Sequence, residues 1–272
     1  PDEVVVVNGG DERADAVVHS FTGWPTVVVG LVKTINKNLA SRRNIGIAEC
    51  RGEVVAMTDD DAEVFPDWVT QIKRVYKERP QVGAVGGAIL GADSQHSFLS
   101  RLSDVAIFPS PPKPGSVRTL PGVNVSYRRE VLDRVGPQDV SLFRGEDVDF
   151  NWRVKKLGYD IYYDPAIKVL HHHRPSLRKF WRQTYMYGRA YFLVRRKWPD
   201  LYCVYPHRLN SFRSCLKLVH FGISTLYQPA QTALKLSNWM DRIRAVPILI
   251  INDAAWKSGV AYQGLLERGK RG

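Results

Sequence analysis

The 272-residue sequence predicts an α/β fold, a doubly wound mixed sheet with a basic, mostly helical C-terminal extension. Three observations carry this. Short apolar runs alternate with segments of helical spacing through the first 170 residues, the pattern of strands wound together by helices. An acidic cluster directly follows the third run, and open α/β sheets bind ligands at the carboxyl ends of their strands. The charge is also divided. Residues 171–272 hold 18 Lys+Arg against 4 Asp+Glu, a net of +14, while the whole chain carries +12. The expected organisation is therefore a core over 1–170 and a basic helical part over 171–272.

The elements follow in order. Val4-Val5-Val6-Val7, closed by Asn8-Gly9-Gly10, reads as a buried parallel strand and a turn. Pro25-Thr26-Val27-Val28-Val29-Gly30 reads as a second strand. Residues 38–50 have helical spacing, with Leu39, Ile45 and Ile47 among Arg42, Arg43 and Asn44. Residues 53–57 form the third strand. Pro66-Asp67-Trp68 opens a helix, with Pro in its first turn. Val82-Gly83-Ala84-Val85-Gly86-Gly87 is another strand. Residues 91–119, with Pro109, Pro111, Pro112 and Pro114, read as a long substrate-covering loop. A strand from Gly122 runs into a helix ending near Val135. A further helix opens near Glu146, residues 159–170 are extended, and the pattern is helical after Pro175.

Composition narrows the class. A hydrophobic fraction of 44% with 7 Trp excludes a disordered chain. Cys50, Cys203 and Cys215 have neither metal spacing nor an even-numbered framework, which fits a reducing, cytoplasmic setting. The chain opens Pro1-Asp2-Glu3, without initiator Met or signal peptide, and reads as starting inside a domain. No run approaches the ~20 apolar residues that span a bilayer, and the apolar stretch at 245–251 is too short. Residues 212–266 read as amphipathic helices for a peripheral membrane contact, anchored by Trp239, Trp256, Arg242, Arg244 and Lys257. A helical cap on the protein's own core would show the same pattern.

Two acidic clusters carry the chemistry. Asp59-Asp60-Asp61 are adjacent and mutually repelling, so a cation is the natural compensation. Hard carboxylate oxygens suit Mn2+ or Mg2+, ions that commonly hold phosphates. Gly145-Glu146-Asp147-Val148-Asp149 supplies a separate carboxylate for proton transfer. A solvated acidic turn would explain the first cluster alone, and preference for a helix's positive N-terminus the second.

In order and spacing, four segments resemble the family 2 glycosyltransferases of the GT-A fold. They are Ala40-Ser41-Arg42-Arg43-Asn44-Ile45-Gly46-Ile47-Ala48; Gly52-Glu53-Val54-Val55-Ala56-Met57-Thr58-Asp59-Asp60-Asp61-Ala62, the DxD segment; Gly122-Val123-Asn124-Val125-Ser126-Tyr127-Arg128-Arg129; and Gly145-Glu146-Asp147-Val148-Asp149-Phe150-Asn151-Trp152-Arg153, the ED motif. The similarity runs over roughly residues 4–189. It implies an inverting transfer of a sugar from a nucleotide-diphosphate donor to a glycan or lipid-linked acceptor. Asp147 is then the base and Glu146 its catalytic neighbour. Asp59 and Asp61, completed by His171 and His173, would hold the metal. Asn8, Arg43, Asn44, Asp59, Asp60, Arg182, Gln183 and Arg189 would bind the donor, and Asn124, Glu146 and Trp152 the acceptor.

The sequence departs from the family in three places. The Pro-x-Tyr-Asn type opening is not matched, so that nucleotide-binding strand is expected to be missing. Asn8 stands where the family has Asp. Residues 180–189 occupy the place of the Gln-x-x-Arg-Trp motif of processive synthases without reproducing it, which favours a non-processive enzyme. The basic charge and the Trp and Tyr of residues 171–272, with the cysteine usage, make the expected location cytoplasmic, at the cytoplasmic face of a membrane.

A metal-dependent phosphohydrolase or nucleotidyltransferase would also use carboxylate-held metals, but would converge both clusters on them. A basic nucleic-acid-binding module would need a recognition signature, and none is found, so no nucleic acid is expected as partner. A truncated transferase without turnover is the remaining alternative.

Overall fold

The computed structural model describes residues 1–21, 27–35, 38–173, 176–201 and 212–269. Strand β1 (Glu3–Asn8) is followed by α1 (Glu12–Ser20), β2 (Val28–Lys33), α2 (Leu39–Glu49), β3 (Val54–Met57) and β4 (Ala62–Val64). Then come α3 (Trp68–Glu78), β5 (Val82–Gly91), α4 (Phe98–Ala106), β6 (Gly115–Ser116), β7 (Val125–Arg128), α5 (Arg129–Val135), α6 (Glu146–Lys156) and β8 (Asp160–His171). The chain continues through α7 (Leu177–Lys197), α8 (Phe212–Ile223), a 3-10 turn, α9 (Gln228–Ala233) and α10 (Trp239–Gly269). The start expected for the second strand, residues 25–26, and Cys203 lie outside the described residues.

The strands form two sheets. β1 and β2 pair in parallel, with Val5 opposite Gly30. The larger sheet has the order β3-β7-β5-β8-β4, with β6 on β8. β7 runs antiparallel to both neighbours, Val125 facing Met57 on β3 and Gly86 on β5. The first two apolar runs thus stand apart from the sheet that carries the acidic cluster.

Two compact units are distinguished: Pro1–Asp60, Val64–Ala88 and Pro112–Lys168 in one, and Asp61–Glu63, Ile89–Pro111 and Val169–Gly272 in the other. The expected division after residue 170 omits two internal segments that belong with the helical part. One, 89–111, contains α4, a helix inside the stretch read as a loop; Ser97 caps it by accepting from Ser100 N. The Ser signal precedes Phe98, but the prolines after it drew the segment toward loop.

In the first unit the core is built by Val55, Ala84, Val125, Tyr127, Val131, Phe150, Val154 and Ile161, all buried. The continuous apolar run of β5 fits a strand covered on both faces. Helix α2 is capped by Asn38, whose side chain accepts from Ser41 N. At its other end Arg129 donates to the Ile47 and Cys50 carbonyls, which have no partner further along the helix. These caps fix the helix that delivers Arg43.

The second unit centres on Leu102, Phe180, Ala233, Leu236, Ala245 and Leu249. Arg101 Nε donates to the buried Asp241 over 2.7 Å and joins α4 to the start of α10. Among the described residues no helix is long and apolar enough to cross a membrane. Two expected membrane anchors are internal instead. Trp256 packs on Tyr191 and Phe221, and Lys257 donates to Ser224 and pairs with Asp253. The charge of Lys257 is thus satisfied inside the helical part.

Candidate active site

In the first unit the two acidic clusters meet through Arg43. Its guanidinium donates to Asp59 Oδ1 over 2.9 Å and to Glu146 Oε1 over 2.8 Å. It is nearly buried, and burial works against its charge, but Asp59, Asp147 and Glu146 outweigh that cost and raise its pKa. Gly122 makes room for it, since a Cβ there would collide with the guanidinium.

The second cluster opens α6. Gly145 takes a left-handed conformation at φ 79°, which turns the chain so that Glu146, Asp147 and Asp149 enter the first helical turn. The positive end of the helix favours carboxylates there. Glu146 is 4% exposed. Burial, then the neighbouring Asp147, pushes its carboxyl up to about 6 against the pull of Arg43. Asp147 is half-buried. Its Oδ2 accepts from Gly122 N at 3.2 Å and its Oδ1 from Val148 N at 2.8 Å, so backbone donors hold the carboxylate in place. Asp149 is fully buried and turned back onto Arg153.

In the second unit Asp61 Oδ1 lies 3.3 Å from His171 Nε2. His171 Nδ1 lies 3.1 Å from His173 Nδ1, and His173 Nε2 lies 2.8 Å from Asp104 Oδ1. Phe108 packs against both imidazoles. The backbone ties the segment down: His172 N donates to Asp61 O, and Ala92 N to His171 O.

A divalent ion was expected at Asp59, Asp61, His171 and His173. Among the described residues no three His, Cys, Asp or Glu converge into a ready-made cage. His173 has both ring nitrogens engaged, Nδ1 with His171 and Nε2 with Asp104. Asp59 has one oxygen on Arg43. Asp61 and His171 fit a divalent ion by donor type, a hard carboxylate oxygen and an imidazole nitrogen facing each other at 3.3 Å. Two protein ligands suffice for an ion that also binds phosphate oxygens.

Several expected site residues serve the scaffold instead. Asn124 is fully buried; it donates to the Ala88 and Ile167 carbonyls and accepts from Trp68 Nε1, so it cannot touch an acceptor. Asn8 donates to Asp11 O and Asp15 Oδ1 and accepts from Gly10 N and Asp11 N, which uses its whole amide to shape the turn after β1 rather than to bind a nucleotide. Asn44 exchanges two hydrogen bonds with the Gln138 backbone and docks α2, leaving the donor set. Glu146, expected beside the acceptor, is buried, with its Oε1 accepting from Arg43. Arg189 donates to Gln263 and stacks over Tyr262, joining α7 to α10 instead of reaching a diphosphate. Asp60 and Arg182 are exposed, Gln183 donates to Tyr187, and Trp152 is half-buried under the Lys156 amine. Asp104 went unnoticed in the sequence because it lies in α4, within the stretch read as loop.

A sequence profile of Glycosyl transferase family 2 matches residues 1–136, half of the chain. The chain belongs to glycosyl transferase family 2. It is 27% identical over 204 residues to a pre-mycofactocin glycosyltransferase of Mycobacterium tuberculosis, covering 72% of this chain and 43% of that protein. It is 29% identical over 163 residues to a glucosyl-dolichyl phosphate glucuronosyltransferase of Haloferax volcanii, covering 53% and 48%. The chain thus spans less than half the length of either relative. Its fold resembles that of a mannosyltransferase from Pyrobaculum calidifontis in complex with GDP-Man and Mn2+, with TM-score 0.59 and 19% identity over 94% of this chain and 77% of that one. The family 2 member described here therefore has the GT-A type fold, a mixed sheet with a helical C-terminal part.

Proposed function

We propose that the protein is a metal-dependent, inverting glycosyltransferase that moves a sugar from a nucleoside-diphosphate donor to an acceptor hydroxyl. The observation that carries this is the Arg43 bridge, which holds Asp59 of the first cluster and Glu146 of the second on one guanidinium, next to Asp147. Family membership and the names of the relatives support it.

Asp147 takes the proton of the acceptor hydroxyl as that oxygen attacks the anomeric carbon. The bond from that carbon to the diphosphate oxygen breaks on the opposite face, and its electron pair leaves with the nucleoside diphosphate. The Gly122 and Val148 amides fix Asp147 before the substrates arrive. Arg43 offsets the charge that a second carboxylate adds beside Asp147. Asp59 would accept from the donor's ribose, and Asp61 and His171 would hold Mn2+ or Mg2+. A bound divalent ion supplies the positive charge that stabilises the departing diphosphate. Asp60, Arg182 and Gln183 remain donor-side residues, and Trp152 an acceptor-side platform, in this account. In a hydrolase or nucleotidyltransferase both clusters would converge on metals; here Glu146 and Asp59 are instead neutralised by an arginine.

The protein works at the cytoplasmic face of a membrane, on a lipid-linked or growing glycan acceptor. The second unit exposes Phe212, Leu216, Val219 and Ile223 along one face of α8, beside exposed Arg213 and Lys217; Trp239 and Ile243 of α10 are exposed as well, near Arg244. Apolar side chains flanked by cations match an anionic lipid interface. The acceptor named for the Haloferax relative is itself lipid-linked.

The test is titration of the full-length protein with a panel of nucleotide sugars, with and without Mn2+. One donor is expected to bind only with Mn2+, and Asp61→Ala to lose that binding while keeping its melting temperature. Equal donor affinity in Asp61→Ala with Mn2+ present would contradict the metal assignment.

A further inference from the structure

The strongest unassigned feature is the chain of side chains behind His171. It runs Asp104 Oδ1 to His173 Nε2 at 2.8 Å, His173 Nδ1 to His171 Nδ1 at 3.1 Å, and His171 Nε2 to Asp61 Oδ1 at 3.3 Å. The far end is anchored. Ser94 Oγ donates to Asp104 Oδ2 at 2.5 Å and lies 3.0 Å from Ser100 Oγ, while Arg101 holds the Ser94 carbonyl at 3.0 Å. The His171 and His173 side chains are 10% and 4% exposed.

With a divalent ion rather than a proton between Asp61 and His171 Nε2, proton positions along this chain follow from its partners. An ionised carboxylate only accepts, so Asp104 takes a hydrogen bond from His173 Nε2–H. A neutral His173 then has a bare Nδ1, which accepts from His171 Nδ1–H. That leaves the lone pair of His171 on Nε2, the atom that faces Asp61. Each step removes one choice of tautomer. The ring stacking of Phe108 on His173, at 5.7 Å between centroids, removes rotational freedom as well.

We propose that Asp104 and His173 are positioning residues for the metal: acting through His171, they hold its imidazole as the Nε2 ligand. This rests on the assignment of Asp61 and His171 as the metal pair. Neither Asp104 nor His173 touches the ion. They fix which nitrogen is presented and at what angle, the role that carboxylate partners of ligating histidines play in metal sites generally. The sequence hides the arrangement, since Asp104 lies 69 positions from His173 and on a different element.

The experiment is Mn2+ binding to the full-length protein, alone and with a nucleoside diphosphate (UDP or GDP) present, read by electron paramagnetic resonance, with electron spin-echo modulation to detect nitrogen coupled to the ion. Wild type is expected to show one coupled imidazole nitrogen, absent in His171→Ala. Asp104→Ala and His173→Phe are expected to bind Mn2+ about 10- to 100-fold more weakly, with the nitrogen modulation reduced or altered. Phe preserves the ring packed on Phe108 but offers nothing to the His171 proton. His173→Gln, whose amide oxygen can accept that proton, is expected to recover most of the affinity. Circular dichroism melting identifies any variant that fails to fold, and Asp104→Leu, of similar shape but without an acceptor, then takes its place, with weakened binding and altered modulation expected of it too. If wild type shows coupled nitrogen and the folded variants bind and modulate as wild type does, the positioning role is overturned while the metal pair stands. If wild type shows no coupled nitrogen at all, the His171 ligand assignment falls, and this inference with it.

Discussion

Arg43 Nη1 donates to Glu146 Oε1 over 2.8 Å, joining a helix that precedes the first acidic cluster to the helix that opens with the second. The two residues are 103 positions apart, and both side chains are nearly buried. A buried charge that loses its partner is costly, more so than the pair is worth when intact. Arg43→Met is expected to destabilise the fold by about 3 kcal/mol. Urea unfolding measures it. An unchanged midpoint would mean that Glu146 and Asp59 need no compensation.

Glu146 makes stability depend on pH. Burial and Asp147 raise its folded-state carboxyl from 4.5 to about 6. Below pH 4.5 it is protonated in both states, and its full contribution to stability is present. As the pH rises the unfolded chain ionises first, and the contribution is lost as pH passes through about 6. The loss is on the order of 2 kcal/mol. Relative to Glu146→Gln, wild type should therefore be weaker at pH 7.5 than at pH 4.5 by that amount in denaturant unfolding. A constant difference across the window would contradict the raised value.

The helical unit carries the membrane prediction. Each cation close to an anionic surface contributes about 1 kcal/mol, so Arg213, Lys217 and Arg244 together give useful attraction. The full-length protein should float with vesicles containing phosphatidylserine at low salt, and lose most of that binding in 0.5 M salt, on the order of a Debye length of a few ångströms. Phe212→Glu with Leu216→Glu should abolish flotation. Equal recovery with neutral and anionic vesicles, or none with either, would oppose the assignment.

Much of the fold was legible because the relevant signals are local. The apolar runs at 4–7, 54–57 and 82–87 fall on β1, β3 and β5, and Asn38 and Trp68 stand where helices begin. The separation of β1 and β2 from the larger sheet was not legible, because strand order depends on partners distant in sequence. Carboxylate clusters announce themselves by composition, which is what singles out Asp59, Asp61 and Asp147 as candidates. Asn124, Asn8 and Asn44 look like binding residues in sequence, since an amide that satisfies buried backbone has the same letter as one that binds a ligand. Only their filled hydrogen bonds tell them apart. Arg43 and Asp104 acquire their meaning from partners far along the chain.

The role of Asp147 as the base stands or falls on a single variant. Asp147→Asn keeps the shape and one acceptor oxygen, enough for one of the Gly122 and Val148 amides, but its amide cannot take a proton. Turnover with the preferred donor and acceptor should fall by about two to four orders of magnitude, while calorimetry finds donor affinity within about twofold of wild type. Near-normal turnover in Asp147→Asn would contradict the account and place the base elsewhere.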